Sequence, residues 1–190
     1  MPLAATNVPI IRLAEPVDGM ALGRLHVAAW HETYKGLVPD LILAGLDPEK
    51  RGAVWEEMLR DPARFQDVRV HLAEQDGEMI GFAACGTQGD PTLAAAGFDG
   101  EIGAIYLRRT AQRRGIGRLL MRTAAADLAS RGWHGASLWV LRENMPARRF
   151  YEQLGGIVVG EKRDVRPEGE LVELAYGWPD LRVLEERAGN

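Results

Sequence analysis

One stretch of the chain, from Glu101 to Arg131, limits the possible folds more than any other. It opens with a run of β-branched and aromatic residues that is typical of a strand: Ile102, Ile105, Tyr106 and Leu107. Further along, apolar residues recur at every fourth position, the spacing of one helix face: Ile116, Leu120, Ala124 and Leu128. Gly132 follows and suits a helix C-terminus. The chain therefore passes from a strand into a long helix through one short polar loop.

That loop, Gln112 to Gly117, has the composition of a phosphate site. The first turn of a helix leaves about four backbone N–H groups without partners, and the helix dipole places partial positive charge there. Gly115 and Gly117 remove the side chains that would keep an anion away from these groups. Three arginines add full charges around the same point: Arg113, Arg114 and Arg118. Two adjacent phosphates fit such a cradle better than one.

Other glycine motifs fit the loop less well. No Gly-Lys-Ser/Thr follows the glycines, which excludes a Walker A loop. A dinucleotide fingerprint needs a third glycine where Leu120 stands, and it needs an opening βαβ unit, which is missing. A basic solvated turn, with glycines used only for the bend, is the remaining alternative. The coincidence of arginines, glycines and a strong helix start favours phosphate binding.

A family resemblance follows from this loop and from a second motif. The run Gln112-Arg-Arg-Gly115-Ile-Gly117 resembles the acetyl-CoA pyrophosphate loop, Q/R-x-x-G-x-G/A, of the GNAT superfamily of N-acetyltransferases. About thirty residues downstream, the run from Asn144 to Gly155 is similar to that family's second signature segment. The resemblance covers about residues 8–178. It implies acetyl-CoA as co-substrate and a single acetyltransferase domain over residues 1–190, with its core at about 8–178.

The resemblance also implies which residues touch the cofactor. In that family the strands that correspond to residues 101–107 and 136–141 diverge, and the pantetheine arm of the cofactor lies in the gap. Backbone groups of the first strand then face the thioester, and Asn144 hydrogen-bonds the pantetheine. The expected cofactor-binding residues are Ile105, Tyr106, Leu107, Gln112, Arg113, Arg114, Gly115, Ile116, Gly117, Arg118, Asn144, Ala147 and Phe150.

The order of predicted elements indicates a mixed fold. Strands are predicted at 8–13, 68–74, 78–86, 101–107, 136–141, 157–162 and 171–178, and helices at 17–34, 39–44, 48–60, 116–131 and 145–154. Residues 88–99 are predicted as a loop, 163–169 as a charged turn, 1–7 as frayed, and those from Pro179 as a polar tail with a helical alternative. The chain is therefore predicted to be a single-domain α/β (α+β) fold. Its mixed, mostly antiparallel twisted sheet has about six or seven strands, with helices on both faces.

Composition excludes several classes of function. Of the 190 residues, 46% are apolar and 26% are charged, which is ordinary for a soluble globular domain. The formal net charge of −4 gives no reason to expect a nucleic-acid partner. No apolar run reaches the ~18 residues of a membrane span, and the N-terminus lacks a signal-peptide layout. The single cysteine, Cys85, cannot form an internal disulfide, so a cytoplasmic setting and a buried packing thiol are expected.

Two residues are expected to carry acyl-transfer chemistry. An alkylamine has a pKa near ~10.4, so it must lose a proton before it attacks a thioester. Glu101 is the expected base, since many members of the family carry a glutamate there, and Asp99 is the alternative. Tyr151, in the second signature segment, is the expected acid for the departing thiolate, because a phenol has a pKa near ~10. A solvated surface carboxylate and a core aromatic are the competing interpretations.

The acceptor side is less well marked. A similarity to the helix-turn segment of one bacterial branch of the family points to Trp30, His31 and Tyr34 as substrate-binding residues, although aromatics at helical spacing are more often core. With one cysteine and scattered histidines, no metal site is expected. A homodimer is common in the family, so the resemblance makes it a candidate assembly.

The leading function is therefore transfer of an acetyl group from acetyl-CoA to a primary amine of a small molecule or peptide, by direct attack in a ternary complex. Two alternatives remain open. One is a non-catalytic module that binds or senses acyl-CoA. The other is an acyltransferase that uses the same cradle for a different acyl-CoA or acceptor. The identity of the acceptor amine is not encoded in any motif.

Overall fold

The computed structural model describes residues 8–167 and 169–189, so the prediction of frayed residues 1–7 lies outside the described part. The strands are β1 (Ile10–Leu13), β2 (Arg69–Gln75), β3 (Glu78–Thr87), β4 (Gly100–Leu107), β5 (Ala136–Leu141), β6 (Ile157–Arg166) and β7 (Gly169–Trp178). The α-helices are α1 (Gly19–Tyr34), α2 (Asp40–Ala44), α3 (Pro48–Arg60), α4 (Pro91–Ala95), α5 (Ile116–Ser130), α6 (Met145–Gln153) and α7 (Leu181–Gly189). None of these helices combines the length and apolar character needed to span a membrane.

The strands form one sheet in the order β1-β2-β3-β4-β5-β7-β6. Among the described strands, β4 and β5 run parallel, and every other neighbouring pair is antiparallel. Helices α1 and α3 pack on one face of the sheet, while α5 and α7 pack on the other. The predicted α/β (α+β) fold with a mixed, mostly antiparallel sheet and helices on both faces is confirmed.

Strands β4 and β5 separate soon after they meet. They pair at only two positions, Gly100 with Ala136 and Glu101 with Ser137. Beyond Glu101, the N–H and C=O groups of β4 that point toward β5 have no strand to pair with. The divergence that the family resemblance implied is therefore present, and it opens the sheet along one side of β4.

A bulge interrupts β4 beside this opening. Cys85 of β3 pairs with Ile102 and Ala84 pairs with Ala104, so Gly103 is left without a partner. A Cβ atom added at Gly103 would meet no heavy atom within 4 Å. The bulge therefore puts a residue without a side chain at the place where the sheet opens.

The predicted apolar face of α5 is buried against the sheet. Its residues Ile116, Leu120, Ala124 and Leu128 are no more than 3% exposed. Helix α7 covers the outer side of α5 with Leu181, Leu184 and Ala188, which are also buried. The helical alternative for the tail after Pro179 is therefore the right one, and the packed core extends beyond residue 178.

Two segments differ from their predicted structure. Residues 88–99 contain helix α4, which begins after Asp90, whose Oδ1 accepts hydrogen bonds from the amides of Thr92 (2.8 Å) and Leu93 (3.3 Å). The predicted turn at 163–169 is too long, because β6 continues to Arg166 and β7 begins at Gly169. Cross-strand ion pairs such as Arg163–Glu170 (2.9 Å) hold this charged hairpin together.

Candidate active site

The separation of β4 and β5 creates a groove of about 920 Å³. Its walls come from the end of α1, from β4, β5 and α6, and from the loop that leads into α5. Most of the expected cofactor-binding residues line it: Ile105, Tyr106, Leu107, Gln112, Arg113, Gly115, Gly117, Arg118, Asn144, Ala147 and Phe150. Two others do not, because Arg114 is exposed outside the lining and Ile116 is a core residue. A long, flexible ligand can therefore lie along β4 and reach the start of α5.

The loop before α5 presents a row of free amides at one end of this groove. Within the described residues, none of the backbone N–H groups of residues 113–118 donates to a backbone oxygen. The backbone is left-handed at Arg113 (φ 62°) and at Gly115 (φ 81°), which precedes the first helical residue. Successive amides in such conformations converge into a concave anion site. The predicted phosphate cradle therefore has the local geometry that the chemistry needs.

The arginines of the cradle have different surroundings. Arg118 donates from Nη1 to the carbonyl oxygen of Arg187 at 2.7 Å, which ties the start of α5 to the end of α7. Arg113 is exposed and lines the groove, whereas Arg114 is exposed and does not. Gly117 packs closely, since a Cβ atom there would lie 3.3 Å from Phe150 and 3.4 Å from Leu107. Arg113 is thus the arginine that is both free and directed to the groove region.

Asn144 lies on the opposite wall, at the start of α6. Its Oδ1 accepts the amide of Ala147 at 3.3 Å and caps the helix. The side chain is 5% exposed, and its Nδ2 donates to none of the described residues. One helix-capping residue therefore also offers an unused N–H₂ group beside the groove.

Tyr151 follows on the buried face of α6 and lines the groove. Its ring packs against Phe150, Tyr176 and Trp178, and its hydroxyl makes no hydrogen bond to any described residue. Burial, and then the nearby Tyr34, raise the pKa of the Tyr151 phenol above its usual value. The phenol therefore stays protonated at neutral pH and has its O–H free for a ligand.

Glu101 and Asp99 are placed very differently. Asp99 precedes β4 and accepts the amides of His134 and Gly135, each at 3.0 Å, which holds the turn before β5. Glu101 is the second residue of β4, and its Oε2 accepts the amide of Gly89 at 3.0 Å. Its other oxygen is uncommitted. The structure therefore supports Glu101 over Asp99 as the base, while the role itself stays a prediction.

Glu101 and Tyr151 do not line the same cavity. Glu101 lines a smaller pocket of about 260 Å³ on the face that α1 and α3 cover. Tyr151 lines the large groove. Gly103 and Ala104 line both cavities. The two candidate catalytic groups therefore approach the bulge of β4 from different sides.

The three expected acceptor-binding residues lie at different places relative to the groove. Tyr34 lines the large groove. Trp30 lies behind it, packs against Tyr34 and donates from Nε1 to the Tyr106 hydroxyl at 2.9 Å. His31 is exposed and lines neither cavity. Only Tyr34 of the three is in position to touch a ligand in the groove.

One polar cluster was not anticipated from the sequence. His71, Cys85 and Asp127 come from β2, β3 and α5, and their ligand atoms lie within 4.8 Å of one another. Burial would raise the pKa of Asp127, but contacts with His71 and Arg69 outweigh it and lower that pKa to about 2. Burial and the Asp127 charge raise the pKa of Cys85. Because a metal needs the thiolate, the cluster favours a buried ion-pair network, and the absence of a metal site stays a prediction.

Comparison with known proteins identifies the family of this chain. Residues 28–156 match the model of the acetyltransferase (GNAT) family. The chain is 30% identical over 176 residues to the uncharacterized N-acetyltransferase YuaI of Bacillus subtilis (strain 168). That match covers 92% of this chain and 95% of YuaI.

Two of the solved structures with the same fold contain coenzyme A or acetyl-CoA. The PaiA N-acetyltransferase from Thermoplasma acidophilum, in complex with coenzyme A, has a TM-score of 0.65 and is 20% identical, and the match covers 90% of this chain and 99% of that one. YncA from Salmonella typhimurium, with its cofactor acetyl-CoA, has a TM-score of 0.67 and is 19% identical, with 91% and 94% covered. At these identities the likeness establishes the fold. From the family match and the full-length similarity to YuaI, the chain belongs to the GNAT family and is by class an N-acetyltransferase.

Proposed function

We propose that this chain transfers the acetyl group of acetyl-CoA to a primary amine of a small molecule or peptide, by direct attack in a ternary complex. The observation that carries the proposal is the row of free amides at residues 113–118, at one end of the groove beside β4. A diphosphate is well suited to such a row at a helix N-terminus. The coenzyme A and acetyl-CoA complexes of two proteins of this fold support the same ligand.

The proposed cofactor lies along the wall formed by β4. Its diphosphate binds the amides after Gln112, and Arg113 adds a charge-assisted contact. Its pantetheine arm follows Ile105, Tyr106 and Leu107, where β5 has moved away. The unused Nδ2 of Asn144 faces the same groove region and can donate to a pantetheine carbonyl. This arrangement brings the thioester to the bulge of β4.

The reaction then needs one proton removed and one leaving group stabilised. Glu101 takes a proton from the ammonium form of the acceptor, directly or through a water molecule. The neutral nitrogen attacks the thioester carbonyl and forms the C–N bond. A backbone N–H of β4 that β5 has left unpaired stabilises the oxyanion. The C–S bond then breaks, and the sulfur leaves as the thiolate of coenzyme A.

Tyr151 is assigned to the departing sulfur. Its raised pKa keeps the phenol in the protonated form that a donor must have. A thiol has a pKa of about 8.5, so complete proton transfer from this phenol is uphill. The contribution that fits both facts is a hydrogen bond from the Tyr151 hydroxyl to the developing thiolate. The attacking nitrogen then gives up its second proton, which passes directly or through solvent to the sulfur.

The proposal is tested by mixing the protein with acetyl-CoA and a broad panel of primary amines while the release of free thiol is followed. We expect amine-dependent thiol release and an acetylated product that mass spectrometry identifies. The Glu101→Gln variant removes the base but preserves the hydrogen bond to Gly89, so it is expected to lower kcat by about 10²- to 10⁴-fold. Tight coenzyme A binding without turnover on any amine would contradict the proposal and favour a non-catalytic acyl-CoA-binding module.

A further inference from the structure

The smaller pocket beside Glu101 lies on the opposite face of the sheet from α5. It is lined by residues of α1, α3, β3 and β4 and of the segment that precedes β2. Polar or charged side chains at its wall include His26, Arg51, Gln66, Thr87 and Glu101. The aromatic rings of Trp55 and Phe65 supply apolar wall. A cavity of about 260 Å³ holds a molecule of amino-acid size.

We propose that this pocket binds the acceptor, and that the acceptor is a small primary amine that carries a carboxylate at the end remote from the amine. The inference rests on the proposed function and adds to it the location and the chemical class of the acceptor. Glu101 receives the amine end, and Arg51 receives the carboxylate. The two charges at the wall, one negative and one positive, match the two charges of such a zwitterion.

Arg51 is the first support for this assignment. It belongs to α3, and within the described residues its guanidinium makes neither an ion pair nor a hydrogen bond. Most other arginines of the described chain have such partners, as Arg69 has with Asp127 at 2.8 Å. A planar guanidinium at a pocket wall is suited to bind a carboxylate through two hydrogen bonds. Its lack of an internal partner leaves it available for a ligand.

His26 is the second support, because its neutral ring can donate a hydrogen bond at the pocket wall without adding a charge. Its Nδ1 accepts a hydrogen bond from Trp55 Nε1 at 3.1 Å. In the neutral ring the proton is then on Nε2, which can donate. Burial, and then the positive charge of Arg51, lower the pKa of His26 to about 3, so the ring is neutral near pH 7. With His26 neutral, Arg51 is the positively charged side chain among the described residues that line this pocket.

The position of Glu101 is the third support. Its Oε2 is held by the amide of Gly89, so the carboxylate is oriented before any ligand arrives. The neighbouring wall is also fixed, since the amide of Thr87 donates to the carbonyl oxygen of Gln66 at 2.7 Å. An ammonium group placed against Glu101 forms a charge-assisted hydrogen bond, and the same carboxylate can then accept its proton.

The connection between the two cavities completes the geometry. Gly103 and Ala104 line both the small pocket and the groove assigned to acetyl-CoA. Gly103 is the bulged residue, and no heavy atom lies within 4 Å of where its Cβ would be. The amine and the thioester can therefore meet at the bulge, with the acceptor entering from the α3 side. The Trp30, His31 and Tyr34 region is not needed for this route.

The test compares matched pairs of amines whose nitrogen atoms have similar basicity. β-Alanine is compared with propylamine, and γ-aminobutyrate with butylamine, at saturating acetyl-CoA. For the wild-type protein we expect kcat/KM to be about tenfold or more higher for each amino carboxylate than for its alkylamine. The Arg51→Gln variant is expected to lose this preference, because KM rises for the amino carboxylates and their kcat/KM falls to that of the matched alkylamines.

Arg24→Gln is the matched control, because Arg24 is an exposed arginine of α1 outside both cavities. It is expected to keep the preference, and thermal unfolding of both variants checks that the fold is preserved. Equal use of the paired amines by the wild type, or an unchanged preference in Arg51→Gln, would overturn this inference alone. Absence of acetyl transfer to every amine would overturn the proposed function and this inference together.

Discussion

Tyr151 is the residue that we propose for the leaving-group step. The Tyr151→Phe variant removes one hydroxyl that has no partner among the described residues and keeps the ring packing against Tyr176 and Trp178. We expect kcat to fall by about 10²- to 10³-fold, the loss typical of removing one hydrogen-bond donor that stabilises developing negative charge. The dissociation constant of coenzyme A, measured by calorimetry, is expected to stay within about twofold, because the hydroxyl acts on the transition state.

Tyr176→Phe is the control for that variant. Its hydroxyl donates to Glu152 Oε1 at 2.6 Å and lines neither cavity. This change is expected to lower stability by about 1 kcal/mol and to leave kcat unchanged. If Tyr176→Phe lowered kcat as much as Tyr151→Phe, the loss would come from packing, and Tyr151 would have no special role at the sulfur.

Gly115 carries the backbone geometry of the cradle. Its φ of 81° is unfavourable for alanine, although a Cβ atom there would meet nothing within 4 Å. We expect Gly115→Ala to weaken coenzyme A binding and to lower the free energy of unfolding by about 1 kcal/mol, because the left-handed conformation is strained for that residue. Gly115→Asn is the matched variant, since asparagine tolerates this conformation better. Equal coenzyme A affinity in both variants and the wild type would contradict a cradle built on the backbone.

Among single residues, the sequence indicates the glycine-rich loop before α5 clearly, but it does not indicate the pocket that we propose for the acceptor. Gln112 to Gly117 is a contiguous segment, so its chemistry can be recognised without knowing the fold. Arg51 and Glu101 are far apart in sequence, and neither residue type carries a signal that predicts their shared pocket. His31 was predicted to contact the acceptor because of its neighbours on α1. In the structure its side chain is exposed to solvent.

The bulge of β4 is the element that joins the two cavities. A large side chain at Gly103 would project into open space at their junction, since no heavy atom surrounds its Cβ position. We expect Gly103→Leu to abolish acetyl transfer while the thermal unfolding temperature changes by no more than a few degrees, consistent with about 0.5 kcal/mol for an unstrained surface change. Gly103→Ala is the graded control and is expected to retain most of the activity. Full activity in Gly103→Leu would show that the reactants do not meet at the bulge.

Where apolar residues recur at regular spacing, the sequence predicts the bounds of a helix or strand closely. Where local polar contacts determine an element, the predicted bounds are wrong. The four-residue row in α5 reappears as its buried face. Helix α4 begins with Asp90-Pro91, the same capping signal as Asp47-Pro48 at α3. The segment was nevertheless predicted as a loop because glycines and alanines surround this signal. The ends of β6 and β7 nearest their connecting turn were not predicted as strands. The charged residues that pair there, at an exposed edge of the sheet, do not show the alternation of apolar and polar residues that indicates a strand.

In the complete fold, helix α7 extends the hydrophobic core, because its apolar residues pack in the same cluster as α5. Leu184 is 0% exposed and belongs to the same cluster as α5, whereas Val183 beside it is 38% exposed. We expect Leu184→Ala to lower the free energy of unfolding by about 2–5 kcal/mol and Val183→Ala by much less, as measured by urea denaturation. Equal effects of the two changes would contradict the packing of α7 on α5.

The whole-molecule architecture could be predicted because the element order and the two motifs occur together along the chain. The divergence of β4 and β5 could not be derived from periodicity, since β5 has the same alternating pattern whether it pairs with β4 over two positions or over its full length. The family resemblance supplied it. The spatial grouping of His71, Cys85 and Asp127 had no source in the sequence, because it depends on how three separate elements pack.

A crystal structure of this protein with coenzyme A bound tests most directly whether the amides after Gln112 hold the diphosphate. We expect diphosphate oxygens within about 2.7–3.2 Å of the backbone nitrogens of residues 113–118. We also expect the sulfur at the bulge of β4, within reach of the Tyr151 hydroxyl. A diphosphate bound away from these amides, or a sulfur outside the space between β4 and β5, would contradict the proposed binding of acetyl-CoA in this groove.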